Sequence, residues 1–424
     1  MIFYSIIYFI CSNFYLFKLN AWLCILIGLI INFIPFMKKL ETRNLNRIKR
    51  GYLLLEIFLF NLVLSLINVI LFYIKFGKIN WINILFIFLF ELIIFWNGII
   101  RVYTSSIQLG VKNRVIGLLL GLIPIAHLVE LVKIINITRK ECKFENDKIL
   151  LDKSREKDEI CKTKYPILMV HGIFFRDYRY LDYWGRIPGE LKKNGATIFY
   201  GNHESASPIK ESAEELSLRI KEILKETGAK KVNIIAHSKG GLDSRYAIEK
   251  LGMDKYVASL TMINTPNNGC EFADYLLEKA PKGFANTVAK TYNAALKKLG
   301  DKKPDFLNSV NDLRHSSCEK LNKELKPKKN VYYQCVGSKL INGRGGKFPL
   351  NLSNAFVKMF DGPNDGLVGE KSFKYGDNFI FLNPPKKRGI SHGDMIDLNR
   401  ENIDGFDIRE FYVKIVEDLK ERGF

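Results

Sequence analysis

From Met1 to Asn136 the chain is mostly Ile, Leu, Phe and Tyr, a composition that cannot furnish the surface of a water-soluble domain. From about Arg139 onward Lys, Glu and Asp recur as they do on a solvated globular surface. The 424 residues therefore divide into two parts with different solvent preferences, and the length allows more than one domain.

Five apolar stretches stand out in the first part: Met1–Phe17, Ala21–Met37, Tyr52–Ile74, Trp81–Ile100 and Val115–Ile137. A bilayer crossing takes about 20 predominantly apolar residues, so the last three are comfortable and the first two short. Met1–Phe17 has no basic start and no small-residue cleavage site before Ala21, which argues for a retained anchor over a removable signal. Residues 1–138 are thus expected to form an all-α transmembrane region of four to five spans. In the loop Lys38–Arg50, Lys38, Lys39, Arg43, Arg47, Lys49 and Arg50 face a single acid, Glu41, and such an excess marks the cytoplasmic side. Three spans follow, so parity predicts a multi-pass protein of the cell membrane with its soluble domain extracytoplasmic. The last span holds Pro124, His127 and Glu130; were it to lie on the surface, the soluble domain would be cytoplasmic.

Glu56, Glu91, His127 and Glu130 are ionisable groups inside apolar runs, a pattern that invites a binding or transport reading. Glu56 and Glu130 sit near span ends, within reach of the interface, whereas Glu91 is central and shares its helix with Asn97 and Arg101. The net charge of +20 is not gathered into a stripe with interleaved aromatics, so membrane lipids are the expected anionic partner and nucleic acid is not. The seven cysteines include no CxxC pair and no zinc spacing. Five of them fall in the soluble part, an odd number with no disulfide framework.

Residues 139–164 are charged and apolar-poor and read as a linker. Beyond them, apolar runs at Tyr165–Val170, Thr197–Tyr200, Val232–Ala236, Tyr256–Ile263, Val331–Val336 and Asn378–Leu382 predict strands. Ser212–Thr227, closed by Gly228, and Gly240–Leu251 predict helices. Strands separated by helices imply a largely parallel sheet.

The chemistry centres on Val232–Gly241, VNIIAHSKGG, where a buried strand runs into Ser238 and a helix follows at once. A strained strand-to-helix turn of this kind lifts a serine above the sheet and demands small residues two before and two after it, here Ala236 and Gly240. Together with YPILMVHG at Tyr165–Gly172, TPNNG at Thr265–Gly269 and NDGLVG at Asn364–Gly369, this segment resembles the bacterial true-lipase family of the α/β-hydrolase fold. The resemblance runs from Tyr165 to Asp397, and the catalytic domain is expected to span residues 165–424. Ala236 replaces the usual first glycine.

A serine hydroxyl needs an adjacent base, usually histidine. His127 lies in a span, His171 follows the first strand, His237 is pinned beside the serine, and His203 precedes it, against the serine–acid–histidine order of this fold. His315 and His392 remain; His392, in a loop after the last strand, is the expected base, and the family match agrees. Asp365 occupies the position of the family's catalytic acid, with Asp361 its nearest competitor. By resemblance the oxyanion donors are the backbone amides of Ile173 and Lys239. The same family implies an amphipathic lid, for which Pro281–Gly300 is the candidate: Phe284, Val288, Tyr292, Leu296 and Leu299 share a helical face. It also implies a calcium ion. Asp394, two residues after His392, matches one carboxylate ligand, while Leu398 stands at a second position with Asp397 adjacent.

The expected activity is hydrolysis of carboxylic esters of lipids, with no required cofactor and calcium as the possible exception. The alternatives are a lipid acyltransferase using the same triad, or a non-catalytic membrane binding or transport protein.

Overall fold

The computed structural model describes residues 2–34, 37–121, 123–173, 183–204, 206–279, 283, 289–290, 293–294, 297, 304–347, 350–383 and 388–424. It divides into two compact units, Met1–Ser154 and Arg155–Phe424.

The first unit is helical: α1 (Ile2–Ser12), α2 (Ala21–Phe33), α3 (Arg43–Phe76), α4 (Trp81–Ser105), α5 (Gly110–Leu120) and α6 (Pro124–Arg155). Of these, α3 and α4 are long and apolar enough to cross a membrane. The 13 residues of α2 rise only about 20 Å against a hydrocarbon core of about 30 Å, and the 11 of α1 less. Helices α3 and α4 lie close because Gly51 meets Gly98: a Cβ on Gly98 would come within 2.8 Å of the Leu55 side chain and 3.1 Å of the Gly51 carbonyl. The polarity of this pair is inverted relative to a soluble bundle. Val63, Leu66, Ile70, Ile74, Trp81, Leu85 and Phe88 face outward, whereas Asn61, Ser65, Asn83 and Glu91 are buried. Asn61 donates to Glu91 Oε1 at 2.8 Å, and Asn13 of the α1–α2 turn accepts from Asn68 and Asn83 at 2.9 and 3.1 Å.

Two expectations need correction. The stretch Val115–Ile137 is not one span, because the chain breaks between α5 and α6 ahead of Pro124, whose missing N–H is tolerated only at a helix start. The two helices fold back on each other. At the tip, His127 sits 5.3 Å from the Phe95 ring, midway along α4. At the base, Glu141 accepts from Ile107 N at 2.8 Å just after α4, and Asn146 accepts from Glu41 N at 3.2 Å. Lys153 also pairs with Glu41. The chain therefore leaves this unit at the end of α3 that carries the basic Lys38–Arg50 loop, not at the opposite end. The region read as a linker is likewise helical as far as Arg155. Glu141 and Lys148 are buried along it, Lys148 paired with Asp152 at 2.8 Å one turn on, and Cys142 packs into the core.

The second unit is built on six strands, β1 (Ile167–Val170), β2 (Ile198–Tyr200), β3 (Val232–His237), β4 (Val257–Ile263), β5 (Tyr332–Ser338) and β6 (Asn378–Leu382). They form one wholly parallel sheet in the order β2-β1-β3-β4-β5-β6. Successive side chains of a strand point to opposite faces, and here both faces are apolar because both are covered. Ile167, Met169, Ile235, Ile263 and Val336 pack under α7 (Ile187–Lys193) and a last helix, Ile408–Glu421. Leu168, Val170, Ile234, Ala236, Leu260 and Met262 pack under α8 (Ile209–Thr227) and α9 (Lys239–Glu249). Further helices among the described residues are α10 (Glu271–Lys279), α11 (Phe306–Asn311), α12 (His315–Glu324) and α13 (Leu350–Asp361), and Ile408–Glu421 is numbered α14. All seven cysteines are buried and unpaired.

Candidate active site

Strand β3 is held on both sides by parallel neighbours and ends at His237; α9 begins at Lys239. Ser238 between them adopts φ 55°, ψ −132°, a conformation that a non-glycine residue holds only where its surroundings dictate it. Its N–H donates to Ile263 O at 2.9 Å. The turn is crowded, which explains the small residues around it. A Cβ on Gly172 would lie 2.8 Å from that of Ser238, and one on Gly240 would lie 2.9 Å from the Val170 carbonyl and collide with that of His171.

Asp365 and His392 arrive from beyond β5 and β6. Ile390 N donates to Lys339 O at 2.8 Å and His392 N to Asp365 O at 2.9 Å, so the two loops are stitched together by backbone. His392 Nδ1 stands 2.6 Å from Asp365 Oδ2. The other carboxylate oxygen accepts from the amides of Leu367 and Val368 at 2.9 and 2.8 Å. Asp365 is wholly buried. The His392 ring lies 4.4 Å from that of His237, the residue next to Ser238. The Asp365–His392 pair thus lies beside His237, the neighbour of Ser238, at the carboxyl edge of the sheet, where ligands of open α/β sheets bind. Lys239 follows the serine directly, and Ile173 follows Gly172, which packs on it. The competitors are engaged elsewhere. Asp361 caps α10, accepting from Glu271 N and Phe272 N at 2.9 and 3.0 Å. His315 is bound at Nδ1 to Asn268 O at 2.7 Å.

Sequence reasoning missed several neighbours. Asn264, one residue past β4 at φ 47°, donates to Asp365 Oδ2 at 2.6 Å and to Ser338 Oγ at 2.8 Å. Its position at a strand's carboxyl end was the one available signal. The Lys239 side chain, of no consequence to a backbone donor, is buried and pairs with Asp243 at 2.7 Å and Ser212 Oγ at 3.1 Å. Burial holds the Asp243 carboxyl well above its usual range even beside that ammonium group. His203, stacked on His171 at 4.0 Å, lies 3.7 Å from the other Asp243 oxygen.

Tyr183 accepts from Gly172 N at 2.9 Å, so its hydroxyl proton is directed to His237 Nδ1, 2.7 Å away. Burial, and then the nearby His392, push the His237 pKa well below the usual histidine value, against the opposing pull of the His392 backbone. The folded chain therefore refuses a proton that the unfolded chain takes up below pH ~6.5, and stability is lost as pH falls through that value. The expected contribution is about 1.4 kcal/mol per pH unit, read as a steeper acid slope in denaturant unfolding of the parent than of His237→Gln. Equal slopes would contradict it.

The candidate lid Pro281–Gly300 lies mostly outside the described residues; Ala289 within it is buried against Ile173 and Phe306. The calcium expectation does not fit. Asp394 gives both oxygens to Arg388, at 2.7 and 3.1 Å, and Asp397 gives both to Arg186, at 2.8 Å each. Among the described residues no group of three or more His, Cys, Asp or Glu is disposed to hold a metal.

A family model described as alpha/beta hydrolase fold matches residues 165–347, and the second unit has that fold. A triacylglycerol lipase of Pseudarthrobacter phenanthrenivorans is 37% identical over 143 residues, 32% of this chain and 44% of its own length. Triacylglycerol lipase 2 of Saccharomyces cerevisiae is 27% identical over 263 residues, 58% of this chain and 75% of its own. The chain spans under half the length of the bacterial relatives it matches. Among solved structures, a Staphylococcus hyicus lipase aligns with 62% of this chain and 97% of its own at 19% identity, with a TM-score of 0.49.

Proposed function

We propose that this chain is a membrane-anchored serine hydrolase that cleaves carboxylic esters of lipids. The observation that carries the reading is the buried Asp365–His392 pair, 2.6 Å apart, beside a serine held in a strained turn. In this mechanism Ser238 Oγ attacks the ester carbonyl as His392 Nε2 takes its proton. Asp365, bound at Nδ1, fixes the tautomer and stabilises the imidazolium. The amides of Ile173 and Lys239 receive the oxyanion. His392 then protonates the departing alcohol, and water, deprotonated by the same imidazole, frees the acid. Lipid substrates are favoured by the names of the relatives and by the anchor. Pro281–Gly300 is the proposed lid over the site, with Ala289 resting on Ile173.

The inverted polarity of α3 and α4 supports a bilayer setting: a soluble protein does not turn such a large apolar surface outward around buried asparagines. With two crossings in place of three, the chain emerges on the side of the Lys38–Arg50 loop, and the proposed location of the hydrolase is cytoplasmic. The unpaired cysteines suit that compartment.

One experiment addresses both claims. Intact and lysed cells are treated with a charged, membrane-impermeant fluorophosphonate. Labelling of the parent only after lysis, and none of Ser238→Ala, is the expected result. Equal labelling of Ser238→Ala removes the serine from the chemistry, and labelling in intact cells reverses the sidedness.

A further inference from the structure

We infer that the loop presenting His392 is braced by two guanidinium–carboxylate forks, Arg388–Asp394 and Arg186–Asp397, in place of a metal ion, and that the site assembles without divalent cations. The catalytic part of this inference rests on the proposed role of His392.

Past β6, the loop is tied at Ile390 to Lys339, carries His392, turns through Asp394–Ile396 and runs on to Asn402. Ile390 on one side of His392 and Met395 and Ile396 on the other are buried in the core beneath α14, and the stretch between them is shaped by polar contacts. Asp394 supplies them. Its Oδ2 accepts from the backbone and hydroxyl of Ser391 at 2.8 and 2.7 Å and from Arg388 Nη1 at 2.7 Å. Its Oδ1 accepts from Arg388 Nη2 at 3.1 Å, and the same nitrogen reaches Glu401 at 2.9 Å. Arg388 therefore ties the start of the loop to its far end. The second fork closes the other side. Arg186, entering α7, binds Asp397 through Nε and Nη2 and Asn402 through Nη1, all at 2.8 Å, and its N–H donates to Asp397 Oδ2 at 2.8 Å. Both aspartates are buried, 5% and 2% exposed.

A calcium ion in this loop would need six to eight oxygens at about 2.3–2.6 Å. The two carboxylates that could begin such a shell are each already taken in planar, two-bond fashion by a guanidinium, and Leu398 offers no side-chain ligand. An entering dication would have to displace two half-buried guanidinium groups and then face their charge. The guanidinium meets a carboxylate edge-on and keeps its charge at any physiological pH. The brace is therefore permanent, where a metal would come and go with its concentration. Arg388 and Arg186 are positioning residues: they act on the ester only through the placement of His392.

The test uses the full chain in detergent micelles, dialysed against EDTA or supplied with millimolar calcium chloride. Melting temperature and ester turnover are expected to be the same in both. A melting temperature raised by calcium, or turnover lost to EDTA and restored by calcium, overturns the inference. Arg388→Ala is expected to lower kcat on the order of tenfold with KM within about twofold, as other supports of a functional side chain do. Added guanidinium ion should restore part of that loss, an effect that a packing defect would not show. Should Arg388→Ala fail to fold, Arg388→Lys, a point charge without the planar fork, is expected to fold with intermediate kcat. An unchanged kcat in either variant counts against the brace. A parent that hydrolyses no ester yet melts identically with and without calcium would sink the hydrolase reading while leaving the metal-free brace intact.

Discussion

Ester turnover by His392→Ala is expected to fall by ~10⁶-fold, to little above the rate of the uncatalysed reaction assisted by binding. Among the described histidines no other is placed to serve Ser238 as a base. His237 is directed away by Tyr183 and kept neutral by burial, and His203 is turned toward Asp243. The assay is steady-state hydrolysis of a chromogenic ester by purified variants, with melting temperature as the control for folding. The same assay should find His315→Ala unchanged, since that ring is exposed at a helix start and bound to Asn268. Turnover by His392→Ala within about a hundredfold of the parent would contradict the assigned base, given the ~10⁶-fold loss that removal of such a group entails.

Asp365→Asn should cost ~10⁴-fold in kcat with KM nearly unchanged. The reason lies in who donates to whom. The Leu367 and Val368 amides fix an acceptor at the Oδ1 position, so the carboxamide NH2 must occupy the place of Oδ2. There it faces His392 Nδ1 and the NH2 of Asn264, both at 2.6 Å in the parent. To avoid donor meeting donor, the imidazole shifts its proton to Nε2 and can no longer accept one from the serine. Asp361→Asn supplies the contrast: it weakens the cap of α10 and should lower stability while leaving kcat largely intact. A loss confined to Asp361→Asn would transfer the role of the acid to that residue.

The central strands β1, β3 and β4 were readable because each is an apolar run covered on both faces and bounded by turn residues, and the bend at Ser238 because its steric demands are local. His392 was expected from chain order, loop position and the family resemblance, and Asp365 from that resemblance and its place between the serine and His392; the structure brings these two side chains together. What escaped is non-local. Nothing near Asn264 in the sequence says that its side chain will hold a carboxylate 101 positions later. Nor does Asp394 reveal that Arg388 has taken its oxygens, since the same Asp in a polar loop would read equally well as a metal ligand. In the first unit, hydropathy measured how apolar Val115–Ile137 is but not whether it runs straight. One proline and a glutamate that binds back to the end of α4 reverse the direction of the chain.

Tyr412, on the last helix, donates to the Met395 carbonyl at 2.8 Å and so closes over the segment that carries His392. A nascent chain therefore bears its nucleophile long before it acquires a base to activate it. On the proposed mechanism the elbow serine is made before the segment that carries its base, and hydrolytic competence waits for α14 to dock on that segment.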